Sequence, residues 1–410
     1  MNENRSSSAL EALRYPNFRY LWFGLLVANT GAWMQIVAQG WLIYDLTGSA
    51  LYLGSVGLAR AIPMLTLSLV GGAVSDRMDR RRLLYVTNIL TGCLAFLLGL
   101  DIHLGTVQPW HVLLIAFLSS SVLAFDQPTR QALVPSLVPR SVLLNAIALN
   151  SITFNGAAVL GPSLAGLLVP LIGLEGNFFI NSVGYLAVIY ALYRMKLPPY
   201  RSRTSEGARP SVLDDIRQGL SYVTRHKVLL ALVLSGAGLS FFARSSIVLF
   251  PIFAGDVLQA GVKGLGYLMS ANGVGTVLGG IILANLKDFR HKGLLVVTAI
   301  ILQAILLALF GMSTQLWSSL ALLTGFGAAS ILAASTINTL LQLSTGEAMR
   351  GRVMSLFTLS MLGMTPLGQM PLGTLADALG PGYAVMVGAL CSLGVLLLAL
   401  SIEPGLRKVP

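Results

Sequence analysis

Gly71-Gly72-Ala73-Val74-Ser75-Asp76-Arg77-Met78-Asp79-Arg80-Arg81-Arg82-Leu83-Leu84 sets four arginines and two aspartates between two long apolar runs. A charged stretch so placed lies in water at the surface of a membrane. Gly71 and Gly72 take side chains away from the end of the preceding helix, so a neighbouring helix can come close. Asp76 sets an anion where the positive end of a helix starting on the same side attracts it. An arginine-rich loop is also an orientation signal whatever its spacing, and on charge alone that plainer reading stands beside the structural one.

The apolar flanks extend along the whole chain. Of its 410 residues 55% are apolar and 10% charged, and the mean hydropathy is +0.77. A soluble domain carries about 25% charged residues, so this is an all-α polytopic membrane protein. A bilayer core about 30 Å thick needs about 20 apolar residues per crossing, which leaves room for about a dozen helices. Twelve apolar segments run over 20–44, 50–70, 83–102, 111–132, 143–170, 177–194, 228–254, 262–284, 293–312, 315–342, 353–375 and 382–402. The first is too long for the core of a cleavable signal peptide and is expected to remain as a helix. Cys93 and Cys391 sit inside apolar runs and read as small core residues, with neither metal spacing nor a disulfide framework.

The segments group into an N-terminal tail 1–19, a six-helix bundle 20–195, a linker 196–227, a second bundle 228–402 and a tail 403–410. Ala9 to Tyr15 is expected to form a short interfacial helix ending at Pro16. The linker holds Pro198, Pro199, Pro210 and the pair Asp214-Asp215, with an amphipathic surface helix expected over 212–223. Sorting the basic residues onto alternate loops puts 24 of 27 on the face that carries both termini. By the positive-inside rule that face is cytoplasmic, and the net charge of +11 then needs no nucleic acid to explain it. A faint repeat at about 208 residues places Gly279-Gly280 opposite Gly71-Gly72, although Ala284 stands where the first copy has Asp76.

The spacing Gly72, Asp76, Arg77, Arg80, Arg81, Leu84 resembles the loop signature G-x-x-x-D-R-x-G-R-[KR]-x-x-L of the major facilitator superfamily, with Asp79 in place of the usual glycine. Further stretches resemble the bacterial branch that contains the enterobactin exporter and related efflux carriers. They are Asn17-Phe18-Arg19-Tyr20-Leu21-Trp22, Trp33-Met34-Gln35 with Trp41-Leu42, Leu46-Thr47-Gly48-Ser49-Ala50, Asp126-Gln127-Pro128-Thr129-Arg130 and Arg350-Gly351-Arg352-Val353-Met354-Ser355. The resemblance implies twelve transmembrane helices in two pseudo-symmetric six-helix bundles, with a substrate path between them. It also implies a conformational latch on the cytoplasmic side over Gly72, Asp76, Arg77 and Arg80, in which Asp76 and Arg80 engage a fourth-helix acid, which here is Asp126, and the start of the eleventh helix. Arg130, one turn from Asp126, is the local competitor for that acid.

In the fifth segment Ala148, Ala157, Gly161-Pro162 and Ala165-Gly166 resemble the superfamily's exporter signature, with Gly161, Pro162 and Gly166 matching its core. Ordinary tight helix packing would ask for the same small residues. Arg60 and Arg244 fall near the middle of the second and seventh segments, where a guanidinium needs a counter-ion, carbonyls or a wet cavity. They read either as cavity residues that attract an anionic or catechol-like substrate, or as structural groups, Arg60 on carbonyls freed by Pro63 and Arg244 snorkelling. Uncharged candidates for the cavity wall are Asn29, Gln35, Gln39, Phe241, Phe242 and Asn338, each of which also suits interhelical bonding.

Nothing in the sequence resembles an enzyme, and no phosphate-binding loop, cofactor motif or metal-ligand spacing among the four histidines is visible. Asp45, Asp101 and Asp256 lie near outer helix ends, as gates or as solvated caps. The expected function is secondary export of a siderophore-like or drug-like small molecule by alternating access, in exchange for protons. The protein is expected to act as a monomer in the cytoplasmic (inner) membrane of a bacterium. The competing readings are a lipid or lysolipid flippase of the same fold and, from another class, a non-transporting membrane receptor.

Overall fold

A computed structural model of the chain describes residues 10–195, 212–286 and 291–409. The proline-bearing stretch 196–211 and the basic residues Lys287 and Arg290 lie outside the described residues. A segment in lipid must bond its own backbone, so each apolar run closes into a helix. The helices are α1 Pro16–Thr47, α2 Ala50–Arg77, α3 Arg80–His103, α4 Pro109–Leu133, α5 Leu143–Arg194, α6 Val212–Arg225, α7 Lys227–Gly238, α8 Gly261–Asn285, α9 Lys292–Met312, α10 Leu316–Ser344, α11 Glu347–Leu379 and α12 Pro381–Ile402. Beyond its last regular turn α7 runs on through a π turn at Leu239–Ala243, a 3-10 stretch at Arg244–Leu249 and a second π turn at Phe253–Val257.

Several ends depart from expectation for local reasons. Pro16 begins α1 and does not end a preceding helix, because a first-turn residue needs no N–H. The segment before it is a 3-10 turn, Glu11–Arg14, anchored where Ala12 N–H donates to Asn145 Oδ1 at 2.9 Å. Asp79 has φ −61° and ψ 112°, and its carboxylate accepts from the backbone N–H of Arg81 and Arg82. The position thus does not need glycine, since aspartate supplies the N-cap of α3. At the other end of that helix His111 Nδ1 lies 2.6 Å from Asp101, which also accepts from Thr106 Oγ1, so Asp101 closes the turn into α4.

Ten helices among the described residues are long and apolar enough to cross a membrane. One of them, α5, has 52 residues and is therefore about 78 Å long, more than twice the bilayer core. It breaks at Gly173, whose φ of 76° favours glycine, and so contributes two crossings. The 33-residue α11, which carries Glu347, Arg350 and Arg352 in its first turns and Pro366 and Pro371 within it, is not among the ten. Counting α5 twice and adding α11 gives the twelve crossings expected. The fold is an all-helical, polytopic membrane fold.

By contacts the chain forms two compact units: residues 1–39 with 62–205, and residues 40–61 with 206–410. In the first, α3 lies along α5 and α4, over a core that includes Phe18, Leu21, Leu84, Leu149 and Leu192. In the second, α10 lies along α8 and α9, and Leu232, Ile300, Ile337, Leu340 and Phe357 are buried together. The repeat is visible as geometry within each unit. A Cβ on Gly71 would strike the carbonyl of Ala124 on α4, and one on Gly279 the carbonyl of Ala328 on α10, while Gly72 and Gly280 face open space. Gly71, and not Gly72, is thus the residue that lets α2 meet α4.

The second unit also holds the α1–α2 turn. Gly54 and Gly57 abut Gln369 on α11, and Gly373 abuts the carbonyl of Ala50. Asp377 then caps α2: its carboxylate accepts from Ser49 Oγ at 2.7 Å, Ala50 N–H at 2.7 Å and Leu51 N–H at 3.1 Å. Nearby Tyr44 donates to Asp256 at 2.5 Å. Asp377→Ala is expected to lower stability by about 1–2 kcal/mol, the cost of an N-cap, seen as a lower melting temperature of the purified protein. Asp377→Asn, which keeps an acceptor, should lose less.

Candidate functional site

Asp126 is 4% exposed. An ionised carboxylate at that depth is costly unless it is paired and hydrogen-bonded. The sequence supplies the pairing through helical spacing, because Arg130 stands one turn further along the same face of α4 and its Nη2 meets Asp126 Oδ2. Two consecutive residues of α3 complete the shell: Thr87 Oγ1 donates to Asp126 Oδ1 at 2.7 Å and Asn88 Nδ2 at 3.0 Å. Arg130 extends the chain of contacts to α1, its Nη1 donating to Asn29 Oδ1 at 3.4 Å. Three side chains from two helices thus bond the buried carboxylate, and Asn29 on a third helix bonds its cation.

The other polar residues of α1 follow the same inward course. Asn181 on α5 donates to Gln35. Gln39, 1% exposed, donates to the carbonyl of Val112 at 3.2 Å. Their amides tie α1 into the first unit, whereas Asn29 stays partly exposed.

Of the expected latch, the side-chain partners of Asp126 and Arg80 are described. Asp126 is held by Arg130, Thr87 and Asn88, as above. Arg80 Nη1 donates to the carbonyl of Ala132 at 2.9 Å. Arg77 is exposed, and the side chain of Asp76 lies outside the described residues. The exporter-signature stretch is buried along Ala157, Gly161, Pro162, Ala165 and Gly166. A Cβ on Gly161 would come 2.8 Å from the carbonyl of Thr30 and strike Trp33, so this face of α5 packs tightly on α1.

In the second unit, Arg60 and Arg244 are both partly buried. Among the described residues no carboxylate lies within ion-pairing distance of Arg244. It stands directly after the π turn Leu239–Ala243, which also carries Phe241 and Phe242 with their rings edge to face at 4.8 Å. Such turns leave the regular ladder and recur at functional sites. Gly368 on α11 and Gly388 on α12 abut the carbonyls of Phe241 and Phe242, which fixes the turn between two helices. Asn338, bonded to Gln342 Nε2 at 2.6 Å, lines a cavity of about 350 Å³ between α10 and α11 with Ser335, Thr339, Phe357 and Met361.

Sequence reasoning did not single out Thr87 and Asn88, although two polar residues side by side in an apolar helix were the available signal. Asp377 carried no signal of its capping role, because its partners are 326 to 328 residues away in the chain.

A family profile described as a transmembrane secretion effector matches residues 7–408. The multidrug efflux pump Tap of Mycolicibacterium fortuitum is 26% identical over 87% of this chain and 88% of its own length. The enterobactin exporter EntS of Shigella boydii is 25% identical over 84% and 81%. A bacterial homolog of the human lysosomal transporter Spinster, solved in an inward-facing and occupied conformation, superimposes with a TM-score of 0.74 over 96% of this chain and 99% of that one, at 14% identity. That likeness concerns the fold.

Arg130→Ala would leave Asp126 buried without its cation, and a loss of about 3–5 kcal/mol of stability is expected. Adding Asp126→Asn to that variant removes the orphaned charge. Thermal unfolding of the two purified variants should therefore show the double substitution to be the more stable.

Proposed function

Because the chain belongs to the transmembrane secretion effector family of major facilitator efflux transporters, we propose that it exports a siderophore-like or drug-like small molecule by alternating access. In this reading it works as a monomer in a bacterial cytoplasmic membrane, with both termini in the cytoplasm, and exchanges substrate for protons. The relatives named as a multidrug efflux pump and an enterobactin exporter support the two substrate classes.

The observation that carries the choice between those classes is Arg244. A guanidinium held at membrane depth beside an irregular turn, without a carboxylate partner among the described residues, attracts anions where water is scarce. Its planar fork suits carboxylate or catecholate oxygens. Phe241 and Phe242 add aromatic surface beside it, and Asn29, Arg60 and Asn338 are the further residues proposed to meet substrate. A carrier of hydrophobic cations would instead place an acid at that depth, and the one deeply buried acid described here, Asp126, already has a cation.

Everted membrane vesicles test the function. Uptake of a catecholate siderophore or an anionic dye that rises with an imposed pH gradient supports exchange with protons. Flux indifferent to the gradient, with labelled lysolipid crossing the bilayer, would replace the exporter by a flippase. For the substrate class, Arg244→Ala is expected to weaken binding of anionic compounds by about tenfold or more, the worth of a hydrogen bond to a charged group, and to leave neutral and cationic compounds unchanged. Arg60→Ala should show the same selectivity. A uniform loss together with a lower melting temperature would make both arginines structural.

A further inference from the structure

In the first unit a groove of about 440 Å³ runs between α3 and the second half of α5. We propose that it binds one anionic phospholipid, an acyl chain lying in the groove and the headgroup held by Arg81, Arg82 and Arg194. This goes beyond the transport reading, since it concerns a lipid that stays with the protein and is not carried.

The groove exists because the two helices touch at its floor. Ser182 Oγ donates to the carbonyl of Gly92 at 2.8 Å, and a Cβ on Gly92 would lie 3.4 Å from the Cβ of Tyr185. Above that floor the sides are apolar and open outward, with Ile89 47%, Phe96 48% and Leu186 59% exposed. Phe96 meets Phe179 with ring centroids 5.4 Å apart, which closes the far end. From Asn88 to Leu97 the groove follows α3 for about 14 Å, close to half of a bilayer core of about 30 Å. It therefore suits a single leaflet's acyl chain.

The near end is cationic. Arg81, seven residues before Asn88, and Arg82, seven before Ile89, continue the same faces of α3. Arg81 Nη2 donates to the carbonyl of Tyr193 at 3.0 Å, which brings the ends of α3 and α5 side by side, while its Nε is buried without a hydrogen-bond partner. Arg82 and Arg194 are exposed at that end. Asp79, the neighbouring acid, is engaged in capping the N–H groups of Arg81 and Arg82. A negatively charged phosphate finds three guanidinium groups there, and a zwitterionic headgroup brings its own ammonium against them. Basic pockets at the ends of membrane helices favour anionic headgroups for this reason.

The test uses the full-length protein, extracted in mild detergent from vesicles of equal phosphatidylglycerol and phosphatidylcholine with the same acyl chains. Native mass spectrometry then reads the retained lipid. Wild type is expected to retain phosphatidylglycerol in preference, and each of Arg81→Ala, Arg82→Ala and Arg194→Ala to lower that preference about fivefold. Cys93→Trp, which fills the groove from an exposed position and keeps every arginine, should reduce retention as well. Arg407→Ala, a basic residue elsewhere in the chain, should not. Melting temperatures identify any variant that fails to fold; Arg82 and Cys93 are exposed, so their variants keep the test open. Equal retention of the two lipids by wild type, or wild-type retention of phosphatidylglycerol by both Arg82→Ala and Cys93→Trp, would overturn the site.

Discussion

A carboxylate sealed among membrane helices has to be neutralised where it stands, because neither water nor counter-ions reach it. Asp126 imposes that condition on the first unit, and three helices answer it: α4 with Arg130, α3 with Thr87 and Asn88, and, through Arg130, α1 with Asn29. Each contact fixes a register. Asp126 and Arg130 must share a face of α4, and Thr87 and Asn88 must present that depth of α3 to it. A half-satisfied group of this kind would cost more than an apolar core, so the arrangement specifies how the helices meet.

The second unit solves a different problem. It holds no comparable buried ion pair among its described residues, and its helices meet through missing side chains. Gly54 and Gly373 bring α2 and α11 into backbone contact and Gly57 admits the Gln369 side chain, while Gly279 brings α8 against the backbone of α10. Without a hydrophobic force between helices in lipid, such close approach is a main source of association. Charged groups stand at helix ends and breaks, with Asp377 on the start of α2, Asp256 on Tyr44 and Arg244 after a π turn, while uncharged polar side chains such as Gln303 and the Asn338–Gln342 pair lie within helices. An export function fits this division, with one polar network fixed inside a unit and Arg244 without a carboxylate partner among the described residues of the other.

Much of the fold was legible because its causes are local. Apolar runs of bilayer length and the arginines between them mark the crossings, and the paired glycines 71–72 and 279–280 mark the repeat. Gly71 was not separable from Gly72 by sequence, because which of two glycines meets a carbonyl depends on helix rotation. The breaks in the seventh segment had no signal, since a π turn is set by tertiary packing against Gly368 and Gly388. At the site, Arg130 was visible as a rival for Asp126 from spacing alone. The partners on α3 and the cap at Asp377 were not, because each joins residues far apart in the chain.

The central claim is that Arg130, one turn along the same helix, compensates the charge of Asp126. Solid-state NMR on the reconstituted protein, with labelled arginine nitrogens and aspartate carboxyl carbons, measures it directly. A through-space coupling at hydrogen-bond range between the Arg130 guanidinium and the Asp126 carboxylate, lost in Asp126→Asn, is the predicted result. Coupling of Asp126 to Arg80 in place of Arg130, or to no arginine, would contradict the account.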